Sequence, residues 1–196
     1  NTALALGPGD YTLTIDGVDD AVGDYAFSLL DLTAGGVLER GVAVYGSSSM
    51  GALRVAETAA FGAVGVGRIF DGYRSGELTD DDEVAVVHAT AEWGYRSLSD
   101  AMVNIRASLG AARETGIIDD ATHDRLVTLG KDRFYPERSF PQLLDDATAE
   151  GIAPEVVSAL REFLRHSAID QKREDAIELL SHLRDHGVTP PPATTV

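Results

Sequence analysis

The segment Tyr45-Gly-Ser-Ser-Ser-Met-Gly-Ala-Leu-Arg54 holds the residue types and spacing in this chain that are best suited to chemistry. It joins a predicted buried strand to the start of a predicted helix, where main-chain amides and the positive helix end favour an oxyanion or a phosphate. Gly46 and Gly51 keep the turn small, so that a ligand could approach the main chain closely. A serine at such a bend can act as a nucleophile, as in the Gly-x-Ser-x-Gly elbow, although the two glycines here are one residue further apart. Ser48 or Ser49 could equally be a plain helix N-cap.

Three further residues could take part in proton transfer or anion binding. Arg54 and Glu57 are one helical turn apart, so they either pair on the surface or face the serines, as an anion clamp and a base. His88 closes a predicted strand, and its imidazole could act as a general base near neutral pH. The run Asp80-Asp-Asp-Glu83 resembles a metal site, but consecutive acids in a loop rarely converge on one cation. The sequence therefore predicts neither a metal nor any other cofactor.

Composition limits the class of partner and the compartment. The chain has 196 residues and a formal net charge of −16, and a surface this acidic argues against nucleic-acid and membrane partners. There is no cysteine, which excludes disulfides, thiolate metal sites and a thiol nucleophile. No apolar run is long enough for a membrane helix and no signal peptide is visible, so we expect a cytoplasmic protein.

Hydrophobic periodicity predicts an α/β fold. A small N-terminal parallel-type sheet carries the serine-rich strand–turn–helix junction and is followed by an all-helical C-terminal half. We expect a single domain over residues 1–187, with an α/β part at 1–90, a helical part at 91–187 and a disordered tail at 188–196.

The individual elements follow from strand alternation, helical spacing and turn residues. Strands are predicted at 11–15, 41–45 and 84–87, a helical stretch at 27–38, a strand or loop at 64–70 and an acidic loop at 71–83. Helices are predicted from Met50 onward and over 97–114, 119–130, 140–147, 154–166 and 170–186.

Four blocks of sequence lie in a recognisable order across about residues 41–140. They are Gly46-Ser-Ser-Ser-Met-Gly-Ala-Leu-Arg-Val-Ala-Glu57, Gly65-Val-Gly-Arg-Ile-Phe70, Asp80-Asp-Asp-Glu-Val-Ala-Val-Val-His88, and Leu98 with Val103-Asn-Ile-Arg106. Together they resemble the signature of the TfuA-like proteins. The resemblance implies an accessory protein of peptide-backbone thioamidation. Its partners would be a YcaO enzyme, a ubiquitin-like thiocarboxylated sulfur-carrier protein and a ribosomal precursor peptide.

The resemblance also gives the candidate residues roles in one reaction, hydrolysis of the carrier thiocarboxylate to deliver sulfide to YcaO. Ser48 or Ser49 would attack the acyl carbon, and His88 or Glu57 would accept the proton. Asp16 follows the first predicted strand, where ligands bind in open parallel sheets. The substrate-binding positions are Asp16, Gly46, Ser47, Met50 and Arg54.

Two other functions fit the same sequence. The protein could be a non-catalytic adaptor that binds and stimulates YcaO, with the serines acting only as helix caps and the helical half supplying the interface. It could also be a phosphate-binding α/β domain, although it lacks both the Gly-x-Gly-x-x-Gly spacing and the lysine of a P-loop.

Overall fold

A computed structural model describes residues 42–188 of the chain. The predicted strand at 11–15, the helical stretch at 27–38, Asp16 and the tail residues 189–196 lie outside this part. The described part has a two-stranded parallel sheet near its start and is mainly helical after it, which confirms the predicted fold class. No helix within 42–188 is both long and apolar enough to cross a membrane.

The described residues form two compact units. The α/β unit comprises 42–81, 90–96 and 172–188, and the helical unit comprises 82–89 and 97–171. Both units are therefore assembled from separate stretches of the chain. The extent of the predicted single domain stays a prediction.

The α/β unit is built on two short parallel strands. These are β1 (Tyr45–Gly46) and β2 (Val64–Gly65), and helix α1 (Met50–Thr58) connects them. Helix α2 (Arg68–Ser75) follows β2 and packs on α1. Buried apolar side chains from both helices form the core of the unit, among them Ala52, Val55, Ile69 and Phe70.

Glycines let the strands of this unit approach its helices. A Cβ at Gly46 would lie 2.2 Å from Val55 Cγ2, and one at Gly65 would lie 2.0 Å from the Phe70 ring. Gly46 and Gly65 are paired in register across the sheet. Both positions therefore exclude any side chain, so each strand can lie directly against its helix.

The helical unit contains four helices and its own core. They are α3 (Met102–Glu114), α4 (Asp120–Asp132), α5 (Phe140–Ala149) and α6 (Pro154–Ser167), each packed on the next, with α6 also packed on α3. Apolar residues at helical spacing supply the core, including Met102, Ile105 and Leu109 on α3. Helix α7 (Gln171–His186) follows α6 and belongs to the α/β unit from Lys172 onward.

The predicted helices of the C-terminal half are confirmed with shifts of up to five residues at their ends, the predicted strand at 84–87 is wrong, and the predicted loop at 71–83 is wrong in its first five residues. Residues 84–87 form no strand; His88 makes an isolated antiparallel bridge with Ser97, and the Val87 N–H donates to Ser99 Oγ at 2.9 Å. The predicted loop at 71–83 begins inside helix α2. A glycine in a sequence often indicates a loop, but Gly72 lies within the helix. A Cβ at this position would lie 2.9 Å from Leu78 Cδ1, so the glycine allows Leu78 to pack closely on the helix.

Candidate functional site

The serine turn, residues 47–49, connects β1 to α1 in a strained backbone conformation. Ser48 has a φ of +72°, in the left-handed region that costs a residue with a side chain about 1–3 kcal/mol. The Ser49 N–H donates to the Ser47 carbonyl at 2.9 Å and tightens the bend. Strain of this kind persists only where the surrounding structure holds it, and it is typical of nucleophile elbows.

The hydroxyls of Ser47 and Ser48 hold the turn against helix α7. Ser47 Oγ donates to the Asp175 carbonyl at 2.9 Å, and Ser48 Oγ donates to the Lys172 carbonyl at 2.6 Å. Both serines are buried, at 0% and 1% exposure. These two hydroxyls therefore have a structural role in this conformation.

Ser49 differs from its two neighbours. It occupies the N-cap position of α1 and is 8% exposed, but its side chain makes no capping hydrogen bond. Its hydroxyl has no hydrogen-bond partner among residues 42–188. Ser49 therefore occupies the N-cap position that the sequence offered for Ser48 or Ser49, but neither hydroxyl makes a capping bond, because that of Ser48 bonds to α7 and that of Ser49 is not used.

The start of α1 also offers main-chain donors. The Ala52 N–H bonds to the Ser49 carbonyl at 2.9 Å, whereas the N–H groups of Met50 and Gly51 have no acceptor within the described residues. Free N–H groups at a helix start carry a partial positive charge and favour an anion. A hydroxyl at the N-cap with two free donors beside it suits attack on a carbonyl carbon and stabilisation of the oxyanion that results.

Lys172 and Asp175 were not identified in the sequence, although a signal for them exists. Both are buried, and with Ala176 and Leu179 they lie at helical spacing on the buried side of α7. Two charged residues within an apolar stripe are unusual and require partners. The Asp175 carboxylate accepts the Ile69 N–H at 2.8 Å, at the start of α2.

Arg54 and Glu57 pair with each other. Arg54 Nη1 lies 2.7 Å from Glu57 Oε2, and the side chains are 63% and 49% exposed. Ser49 and Glu57 are eight residues apart, which is about 12 Å along a helix axis, too far for direct proton transfer. Of the two alternatives from the sequence, the structure has the ion pair between Arg54 and Glu57 on the helix surface.

His88 belongs to the helical unit, whereas the serine turn belongs to the α/β unit. It is exposed and pairs with Ser97 through the main-chain bridge. Its predicted role as a base stays a prediction.

The acidic run ends in ion pairs of the helical unit. Asp82 bonds to Lys131 and to Arg138 Nη2, the latter at 2.8 Å, and Glu83 receives both Arg106 and Lys131. Burial alone would raise the pKa of Asp82, but hydrogen bonds from Lys131 and Arg138 outweigh it and lower that pKa. No group of three or more potential metal ligands occurs between residues 42 and 188.

A protein-family model matches more than half of the chain. The family model described as TfuA-like protein matches residues 33–139, which include the serine turn, β2, the acidic run and Arg106. No curated protein matches the chain. Helix α7, which holds the serine turn, lies beyond the matched region.

Proposed function

The chain belongs to the TfuA-like family, and we propose that it hydrolyses a thiocarboxylated sulfur-carrier protein and delivers the sulfide to a YcaO enzyme. TfuA-like proteins are associated with YcaO enzymes in thioamidation. The acceptor in this proposal is a ribosomal precursor peptide. The observation that carries the proposal is the unbonded Ser49 hydroxyl beside the free Met50 and Gly51 N–H groups.

The proposed reaction proceeds through an acyl-serine ester. Ser49 Oγ attacks the carbonyl carbon of the thiocarboxylate, and the oxyanion accepts hydrogen bonds from the Met50 and Gly51 N–H groups. The C–S bond then breaks, and the sulfur leaves as bisulfide with the proton that Ser49 lost. Water hydrolyses the ester, which restores the hydroxyl, leaves a carboxylate on the carrier and releases one proton to the solvent.

Arg54 is proposed to bind the anionic end of the carrier. Its ion pair with Glu57 is largely exposed, and exposed pairs contribute only about 0–1 kcal/mol. Arg54 can therefore exchange the Glu57 carboxylate for a thiocarboxylate at little cost. Ser48 remains the second candidate nucleophile, but its hydroxyl would first have to leave the Lys172 carbonyl.

The test measures free sulfide after the protein alone is mixed with a thiocarboxylated carrier protein. We expect the wild type to release sulfide, Ser49→Ala to reduce the rate at least 100-fold, and Ser48→Ala to keep a measurable rate. Ser158→Ala, at an exposed position on α6, is the matched control and should behave as the wild type. Undiminished release by Ser49→Ala would exclude Ser49 as the nucleophile, and no release by the wild type would exclude hydrolysis.

The second candidate function is a non-catalytic adaptor that stimulates YcaO. The structural bonds of Ser47 and Ser48 favour it, because two of the three serines hold the turn rather than face a substrate. If the protein is only an adaptor, the Ser49→Ala variant should stimulate YcaO as well as the wild type does, whether the sulfur comes from the carrier or from sulfide in solution. If the protein is a hydrolase, YcaO with the Ser49→Ala variant should form thioamide from added sulfide but not from the carrier.

A further inference from the structure

Asp175 is a fully buried carboxylate to which the proposed reaction gives no role. Its Oδ2 atom accepts the N–H of Ile69, the second residue of α2, at 2.8 Å. A carboxylate at a helix start is stabilised by the free N–H groups and the positive end of the helix. Asp175 thus does for α2 what an N-cap residue would do, from a position 106 residues further along the chain.

The start of α2 is shaped around this carboxylate. Gly67 occupies the N-cap position with a φ of +100°, and a Cβ there would lie 2.5 Å from Asp175 Cγ. A side chain at Gly67 would therefore displace the carboxylate as well as strain the backbone.

The same turn of α7 also holds the serine turn. The Asp175 carbonyl accepts Ser47 Oγ, and the Lys172 carbonyl accepts Ser48 Oγ. The first turns of α7 thus contact the chain just after both parallel strands. After β1 the contacts are made by the carbonyls of Lys172 and Asp175, and after β2 by the Asp175 carboxylate. Two of the three residues of the serine turn are therefore bonded to α7.

We propose that Asp175 is a positioning residue of the serine turn. Its carboxylate fixes α7 to the start of α2, and α7 in turn holds Ser47 and Ser48, so that Ser49 keeps its place at the start of α1. This inference rests on the proposed function for the identity of the nucleophile. Its test is independent of sulfide release.

The absence of cysteine makes a direct probe available, because Ser49→Cys places a single thiol at the position in question. A thiol at a helix start has a pKa below its ordinary value of about 8.5 and reacts faster with iodoacetamide near neutral pH. The pH dependence of the labelling rate gives this pKa. Ser158→Cys supplies the matched control, an exposed thiol that lies beyond the first turn of α6.

We expect the thiol at position 49 to label with a pKa about one unit below that of the control. Adding Asp175→Ala should return this pKa to the control value and slow labelling at pH 7 about fivefold to tenfold. Asp175→Asn keeps an acceptor for the Ile69 N–H and should leave the rate within twofold. This rescue by the conservative variant separates positioning from a charge effect. If the negative charge of Asp175 were what mattered, both variants would remove it, lower the pKa of the thiol and speed labelling.

Three results overturn the inference: an unchanged rate with Asp175→Ala, faster labelling with both variants, or an ordinary pKa at position 49 with Asp175 in place. Circular dichroism shows whether each variant is folded. If Asp175→Ala does not fold, Ser47→Ala breaks one bond to α7 and should slow labelling at least threefold; an unchanged rate would again overturn the inference. Failure of the proposed hydrolysis appears separately, as a wild type that releases no sulfide.

Discussion

Arg106 donates to both carboxylate oxygens of Glu83, with distances of 2.9 Å from Nε and 2.8 Å from Nη2. The Glu83 side chain is only 3% exposed and also lies 3.2 Å from Lys131 Nζ. Both residues of the pair lie in the region that matches the family model. The pair joins the short stretch 82–89 to helix α3 within the helical unit.

Loss of Arg106 should destabilise the protein, because it leaves a buried carboxylate with one fewer cation. We expect Arg106→Ala to lower the free energy of unfolding by about 2–4 kcal/mol, slightly less than for a fully buried pair, since Lys131 remains. The exposed pair of Arg165 and Glu162 offers a matched control, and Arg165→Ala should cost less than about 1 kcal/mol. Urea unfolding followed by circular dichroism measures both values. Equal losses would contradict the structural role of the Glu83 pair.

Stability should fall in acid through Asp82. Its folded pKa is lower than in the unfolded chain, so its contribution is present above the ordinary value of 3.8 and is lost as pH falls through the lower folded pKa. We expect the contribution of Asp82 to the urea midpoint to decline as the pH falls below about 4. Asp82→Asn should be less stable than the wild type at pH 7, and the difference should shrink over that acid range. A constant difference at every pH would contradict the prediction.

Gly46 and Gly110 should respond in opposite directions to the same substitution. Gly46→Ala places a Cβ 2.2 Å from Val55 Cγ2 and 2.4 Å from the Gly51 carbonyl, so we expect a loss of at least about 2 kcal/mol. Gly110 lies within α3 with nothing within 4 Å of an added Cβ, and Gly110→Ala should stabilise by about 0.5–1 kcal/mol. Thermal unfolding distinguishes the two variants, and a neutral Gly46→Ala would mean that β1 and α1 can move apart.

Arg54→Ala should affect binding of the carrier and leave the chemistry unchanged. If Arg54 holds the anionic end of the carrier equally in the ground state and the transition state, KM rises about tenfold while kcat stays within twofold. The melting temperature should change little, because the ion pair with Glu57 is exposed. Steady-state sulfide release over a range of carrier concentrations gives both constants. A fall in kcat alone would assign Arg54 to the reaction step instead.

The sequence predicts the local part of this structure well. Helices α3 to α7 follow from apolar spacing, and Asp119, predicted to open α4, caps it through a 2.8 Å bond from the Thr122 N–H. Asp100 lies near the start of the helix predicted over 97–114 and by its spacing would cap that helix, but its carboxylate accepts the Phe140 N–H of α5 at 2.9 Å. A cap supplied by a distant residue leaves no local pattern, so sequence spacing assigns it to the wrong helix.

The same limit applies to the candidate site. Glycines, serines and a helix start mark the turn at residues 47–49, and that much could be predicted from spacing. Which hydroxyl is bonded depends on Lys172 and Asp175, more than 120 residues further along the chain. Local patterns cannot choose among three adjacent serines, because their differences arise only from tertiary contacts.

In the α/β unit, the serine turn near the start of the described chain is bonded to α7 near its end. This separation along the chain affects when the site forms during synthesis. A ribosome must add α3 to α6 before it reaches the carbonyls of Lys172 and Asp175, which hold Ser47 and Ser48. The helical unit has mainly local contacts and can fold earlier, whereas closure over such a separation is slow. A nascent chain that ends before Lys172 already contains every residue matched by the family model, yet it lacks the support that shapes the turn. Activity of the proposed kind therefore depends on the synthesis of α7, which lies beyond the region that the family model matches.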